Sequence, residues 1–312
     1  MFLRLQRYWT ALRAMVCIGI LLSAVPMPAS ARTIQDPVGR TLTVPEDPGR
    51  VVALAPSITE IIFELGQSHR LVGATRYSNY PPDAGSLPKV GSYVQLSLEK
   101  IVALKPDLCI AIKDGNPKPV VDRLQAMQIP VYVVNPHNLE TVVKTMQALG
   151  RLLNATEKAN RLTLAIEERL QRVRIGVAKR NLSPRVFIQI GISPIISIGS
   201  NTFIHDLITT AGGINVAAGS ASYPRFSREQ VMALSPDVMI ITSMARRAAF
   251  EKVKREWGHF EQIPAVRNQR IHLVDSDIFD RPSPRLIDAL ELLATLIHPE
   301  LFGDDTAGPQ KK

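Results

Sequence analysis

A thirteen-residue segment occurs twice in this chain: Leu98–Ile110 reads LEKIVALKPDLCI, and Arg228–Ile240, 130 residues later, reads REQVMALSPDVMI. A repeat of this kind constrains the architecture more than any other feature, because two copies of one local pattern imply two copies of one structural unit. In each copy, apolar residues at helical spacing run up to Pro106 or Pro236, and a β-branched apolar run follows the Pro-Asp turn. The pattern predicts a short helix, a turn and a buried strand.

The flanks repeat with less identity. RVVALAP (Arg50–Pro56) and RVFIQIG (Arg185–Gly191) read as buried strands, followed by helices at TEIIFELG (Thr59–Gly66) and TFIHDLITTAGG (Thr202–Gly213), each ended by glycine. IPVYVVN (Ile129–Asn135) corresponds to QRIHLVD (Gln269–Asp275), and a helical pattern follows each. Strands alternating with helices predict mainly parallel sheets covered on both faces. Between the halves, Ala159, Leu162, Ile166, Leu170, Val173 and Val177 recur at steps of three or four, which predicts one amphipathic helix over 155–181. The expected organisation is therefore an α/β protein of two Rossmann-like lobes, 32–154 and 182–304, joined by one long helix. A stiff rod between lobes does not predict wide hinge closure.

The ends read differently. Arg4, Arg7 and Arg13, an apolar run from Ala14 to Val25 and the triplet Ala29-Ser30-Ala31 form the pattern of a cleaved export leader over 1–31. Cys17 lies too early in that run to suit lipid attachment. Losing three arginines and no acid lowers the formal charge from +9 to +6, and no long basic run remains, so nucleic acid is excluded as a partner. Cys109 is then the single thiol, so no internal disulfide is expected. Residues 305–312 read as a disordered tail.

Six stretches in order, VVALAPSITE, YSNYPP, SLEKIVALKPD, FIQIGISP, FSREQVMALSPD and SDIFDRPSPR, resemble the periplasmic cobalamin-binding proteins of ABC importers, within the wider class that binds iron-siderophores, haem and metal ions. YSNYPP and FDRPSPR carry the cobalamin subtype. The resemblance implies a class III periplasmic binding fold, a monomer working with an inner-membrane ABC permease dimer, and cobalamin (vitamin B12) as cargo rather than cofactor. Open parallel sheets collect ligands beyond the carboxyl ends of their strands, which independently directs attention to Pro56, Ser57 and Ser193 in the loops after the first strand of each half. The resemblance adds Tyr77, Tyr93 and Tyr223 around the ring, with Asp277 and Arg281 as polar contacts to ligand amides. Tyr93 and Tyr223 replace tryptophans of the cobalamin binders, and Ile112 replaces an aromatic, so a related corrinoid, haem or a siderophore stays open. Glu99 and Glu229 occupy the same place in the two repeats, two residues after the expected N-caps Ser97 and Ser227. An acid there complements the helix dipole. The resemblance implies a second use, meeting arginines on the permease.

An enzyme is not expected. The chain carries no G-x-S-x-G, no P-loop and no G-x-G-x-x-G, and Cys109 sits in an apolar strand pattern. Its histidines (69, 137, 205, 259, 272 and 298) stand singly, without the spacing of a metal site.

Overall fold

The computed structural model describes residues 30–179, 181–242 and 247–302. The expected leader lies outside them apart from Ser30 and Ala31, as does the tail 305–312. The chain opens with a hairpin of β1 (Ala31–Gln35) and β2 (Thr41–Pro45), followed by β3 (Val51–Ala53), α1 (Pro56–Glu64), β4 (Leu71–Ala74), α2 (Leu98–Ala103), β5 (Leu108–Ile112), α3 (Lys118–Ala126), β6 (Val131–Val134) and α4 (Leu139–Leu152). After the long α5 (Thr156–Val177) come β7 (Arg185–Gln189), β8 (Ile195–Ile196), α6 (Phe203–Thr210), β9 (Ile214–Asn215), β10 (Arg225–Phe226), α7 (Arg228–Leu234) and β11 (Val238–Ile241). The chain continues through α8 (Arg247–Trp257), α9 (Pro264–Arg267), β12 (Ile271–Leu273), α10 (Ser276–Phe279), α11 (Leu286–Ile297) and α12 (Pro299–Phe302).

Two four-stranded sheets result, β4-β3-β5-β6 and β9-β7-β11-β12, and every pairing in both is parallel. Each sheet places its second strand, first strand, third strand and fourth strand in that order, so the repeat in sequence is a repeat in topology. The Pro-Asp turn has a concrete task in both. Asp107 accepts from the backbone N–H of Gly49 and Arg50 at 2.8–3.0 Å, and Asp237 accepts from Arg185 N–H at 2.8 Å. Each carboxylate thus fixes the start of the neighbouring first strand. The Arg50 and Arg185 side chains return the contact by donating to the carbonyls of Leu104 and Leu234. Lys105 and Ser235, before the two prolines, both take left-handed φ values, 47° and 46°. Ser97 and Ser227 cap α2 and α7 as the sequence predicts, accepting from Lys100 N–H and Gln230 N–H.

Alternation along the strands distributes side chains between two cores. Val51, Ala53, Leu108, Ile110, Val186, Ile188, Val238 and Ile240 belong to one continuous buried cluster that also takes in Ala159, Val173 and Val177 of α5. The opposite faces supply Val52, Cys109 and Val131 to one smaller core, and Phe187, Met239 and Ile271 to another. The lobes therefore share an interior along α5 rather than meeting at a thin hinge. At 22 residues, α5 runs about 33 Å, and Arg169 on it donates to Glu291 and Asp288 of α11 at 2.6–2.9 Å.

One local expectation is revised. Pro56 and Ser57, read as loop, form the first turn of α1, because proline at the first helical position has no N–H to lose and a backbone angle already suited to the helix.

Candidate functional site: the cavity between the lobes

The carboxyl ends of the strands in both sheets open onto one cavity of about 780 Å³. Ala55, Pro56 and Ser57 follow β3, Ile112 ends β5 and Lys113 to Gly115 follow it, Asn135 to His137 follow β6, and Ile190 follows β7. The start of α6 contributes Asn201 to Ile204, matching the start of α1 across the cleft. Of the side chains singled out in sequence, Pro56, Ser57, Tyr77, Tyr93, Tyr223, Asp277 and Arg281 all line it. Ser193 is exposed in the turn between β7 and β8 and is not part of the lining. Glu99 and Glu229 are exposed on α2 and α7, away from the cavity lining. Hydrogen bonding, first from the Ser227 side chain, holds the Glu229 carboxyl below its usual range.

The tyrosines are placed by specific supports. Tyr77 and Tyr93 meet edge to face with centroids 6.4 Å apart. Buried Asn116 accepts from Ile112 N–H at 2.7 Å and donates to the carbonyls of Leu54 and Tyr93 at 2.8 Å each, tying the ends of β3 and β5 to the Tyr93 loop. Gly115, at φ 140°, lies against the Tyr93 ring so closely that a Cβ there would stand 2.9 Å from it. Tyr223, half exposed, supplies a ring from the other lobe. Desolvation raises the phenol pKa values of Tyr93 and Tyr223, and the negative charge of Asp280 adds to both shifts.

Asp277 and Arg281 do more than face the cavity. Arg281 donates to Glu60 at 2.8 Å, to Asn79 Oδ1 at 2.8 Å and to the Tyr77 carbonyl at 2.9 Å, and pairs with Asp277. Glu60, 1% exposed, also takes Arg285 in a forked pair at 2.7 and 2.9 Å, while Asn79 donates to Asp277 at 2.6 Å. The Arg285 guanidinium lies 3.9 Å from the centroid of the Tyr80 ring. Glu60, Asn79 and Tyr80 belong to the first lobe, the arginines and Asp277 to the second, so this cluster is a clasp at the edge of the cleft. The guanidinium expected to read ligand amides is largely committed to it.

Asp280, one residue before Arg281, was not singled out in sequence. Its Oδ2 accepts from Thr242 Oγ1 at 3.0 Å at the end of β11. Its Oδ1 is sealed from solvent and has no hydrogen-bond partner. Burial pushes this carboxyl up to about 7, against the opposing effects of Thr242 and Arg281. Among the described residues, no group of three or more His, Cys, Asp or Glu is arranged to hold a metal ion, and no helix is long and apolar enough to cross a membrane.

The family model described as periplasmic binding protein matches residues 51–278, which span both sheets. The chain belongs to the periplasmic binding protein family. It is 34% identical over 252 residues to the vitamin B12-binding protein of Salmonella typhimurium, covering 80% of this chain and 90% of the relative. The crystal structure of the periplasmic vitamin B12-binding protein of Vibrio cholerae superposes with a TM-score of 0.73 at 30% identity, covering 81% of this chain and 97% of that one. A periplasmic haem-binding protein from Pseudomonas aeruginosa superposes with a TM-score of 0.75 at 27% identity over 81% of this chain and 94% of its own. These periplasmic binding proteins have the class III fold, so the two all-parallel lobes and the connecting α5 are family features.

Proposed function

We propose that this protein is the periplasmic solute-binding component of an ABC importer, capturing cobalamin or a related corrinoid between its lobes and passing it unaltered to a permease dimer. The observation that carries the reading is the cavity of about 780 Å³ with tyrosines from both lobes on its walls, in a chain 34% identical to a vitamin B12-binding protein. Aromatic faces with polar tips suit a broad, flat, partly apolar macrocycle. In this reading Tyr77, Tyr93 and Tyr223 pack against the ring. Pro56 and Ser57 line its path from the first turn of α1, and Asp277 and Arg281 meet the rim with whatever capacity the clasp leaves them. Ser193 stays outside the lining. Cobalamin is the passenger, and the chain needs no cofactor or catalytic group of its own. It works as a monomer, exported by the segment 1–31.

Glu99 and Glu229 dock the loaded protein. They are topologically equivalent, exposed, and carried on capped helices of the two lobes. One carboxylate per lobe would set the orientation on a twofold permease, governing register and encounter rate more than affinity. The test is a double charge reversal, Glu99→Arg with Glu229→Arg: transport by cells is lost while ligand affinity of the purified protein is retained. Loss of ligand binding in a folded variant would move both residues into the pocket and end the docking proposal.

Haem is the second reading, favoured by His137 on the cavity wall and by the similarity to a haem-binding protein. Visible spectra of the loaded protein distinguish corrinoid from haem directly.

A further inference from the structure

Among the described residues, the charges around the cavity are unevenly compensated. Its lining holds the carboxyls of Asp114, Asp277 and Asp280 and the cations of Lys113 and Arg281. Arg281 is engaged by Glu60, Asn79, Tyr77 and Asp277. Asp277 is held in turn by Arg281 and Asn79. Lys113 and Asp114 are adjacent exposed residues of opposite sign. Asp280 is left with one neutral donor, the Thr242 hydroxyl, and one oxygen without any partner. A carboxylate so placed in a desolvated wall repels a second negative charge strongly, acting through its field because its unpartnered oxygen is sealed from direct contact.

We propose that Asp280 is the specificity-determining residue of the cleft, selecting macrocycles whose rim bears neutral carboxamides and rejecting those whose rim bears carboxylates. This rests on the corrinoid reading above and deepens it. Asp280 lines the same cavity as the Tyr93 and Tyr223 rings, which come from opposite lobes, and its charge adds to the raised pKa of both phenols. Its field therefore reaches the space in which a bound ring would lie. Arginine is the usual partner for carboxylates; Arg281, the one arginine among the described lining residues, is already committed to the clasp, and Lys113 stands beside Asp114, so an anionic rim meets the repulsion of Asp280 with little counter-charge among the described residues.

The groups acting on Asp280 are Thr242 from β11, Arg281, Asp277 and Asp275 from its own segment, and Tyr93 and Tyr223 from the facing loops. Its carboxyl, raised to about 7, changes charge within the neutral range. Rim carboxylates titrate near the ordinary value of roughly 4 and stay charged there. Discrimination against an anionic rim should therefore be weak below the Asp280 pKa and grow as pH rises through it, by up to about tenfold per pH unit for one linked proton.

The experiment compares dicyanocobinamide, whose rim carries carboxamides, with dicyanocobyrinic acid, the same ring with carboxylates, by titration calorimetry at pH 6 and pH 8. The native chain is expected to prefer the amide ligand, with the preference widening at least several-fold at the higher pH. Asp280→Asn, nearly isosteric, should shrink the preference at pH 8 by about tenfold and remove its pH dependence. Thr242→Val, which deletes the hydrogen bond favouring the charged carboxyl, should move the midpoint of the widening to higher pH. It serves as an independent check if the asparagine variant folds poorly. An affinity ratio that stays within twofold in Asp280→Asn, or is flat with pH in the native chain, overturns the assignment while leaving corrinoid binding intact. Binding of haem with neither corrinoid bound defeats the proposed function itself, and this inference with it.

Discussion

Replacing Glu60 with alanine tests whether the clasp holds the lobes in their binding arrangement. The Glu60 carboxylate is 1% exposed and meets two guanidinium groups, Arg281 at 2.8 Å and Arg285 at 2.7 and 2.9 Å, whose side chains are 9% and 16% exposed. Removing it leaves Arg281 with the Asp277 carboxylate and Arg285 with only the Asp277 backbone carbonyl, so two nearly buried cations share one hydrogen-bonded carboxylate. Stranding a buried charge in this way costs about 3–5 kcal/mol. For a chain of this size a loss of about 3 kcal/mol lowers the thermal midpoint by about 6–12 °C. Because the pairs are withdrawn from solvent, the loss should persist in about 0.5 M salt, where surface pairs are screened. Glu60→Gln, which keeps the shape and one acceptor oxygen, should fall between. Circular dichroism melts of the three proteins at low and high salt provide the assay, with ligand affinity measured on each. A midpoint drop below about 2 °C, or one abolished by salt, would refute the reasoning and reduce the cluster to an ordinary surface network. A stable variant that still binds ligand at full strength would show that the clasp does not shape the cleft.

Other outcomes follow from the same geometry. Tyr93→Ala should weaken the true ligand by roughly 1–3 kcal/mol in calorimetry, and Gly115→Ala should weaken it too, because the added Cβ would stand 2.9 Å from the Tyr93 ring. Burial pushes the Cys109 thiol up to about 12, so a thiol-specific reagent at pH 8 should label Cys109 negligibly in the folded protein and react with it only on unfolding.

The repeat carried much of the fold in plain view. Because helix, Pro-Asp turn and strand recur with Arg-Val ahead of the paired strand, the sequence contains both halves of each Asp107–Arg50 and Asp237–Arg185 contact. Two equivalent sheets therefore follow from local patterns alone. The long α5 was legible for the same reason, its apolar spacing being regular over about five turns. Short strands such as β4, β8, β9 and β10 were not, since two to four residues give no periodicity to read. The tyrosines of the cleft were reached through resemblance, while Asn116 and Glu60 were not reached at all. Glu60 sits in TEIIFELG, where it passes for the polar side of an amphipathic helix. Its partners are more than 220 residues away, and no local pattern encodes that meeting. Asp280 lay inside a motif already singled out, yet its isolation from donors is a property of three-dimensional packing.

The most direct measurement is a titration of the purified mature protein with cobalamin, followed by calorimetry and by the visible spectrum of the ligand retained after gel filtration. The account predicts one corrinoid per chain, with binding weakened in Tyr93→Ala and unchanged in the Glu99→Arg, Glu229→Arg double variant. A folded protein that retains neither cobalamin nor cobinamide would contradict it.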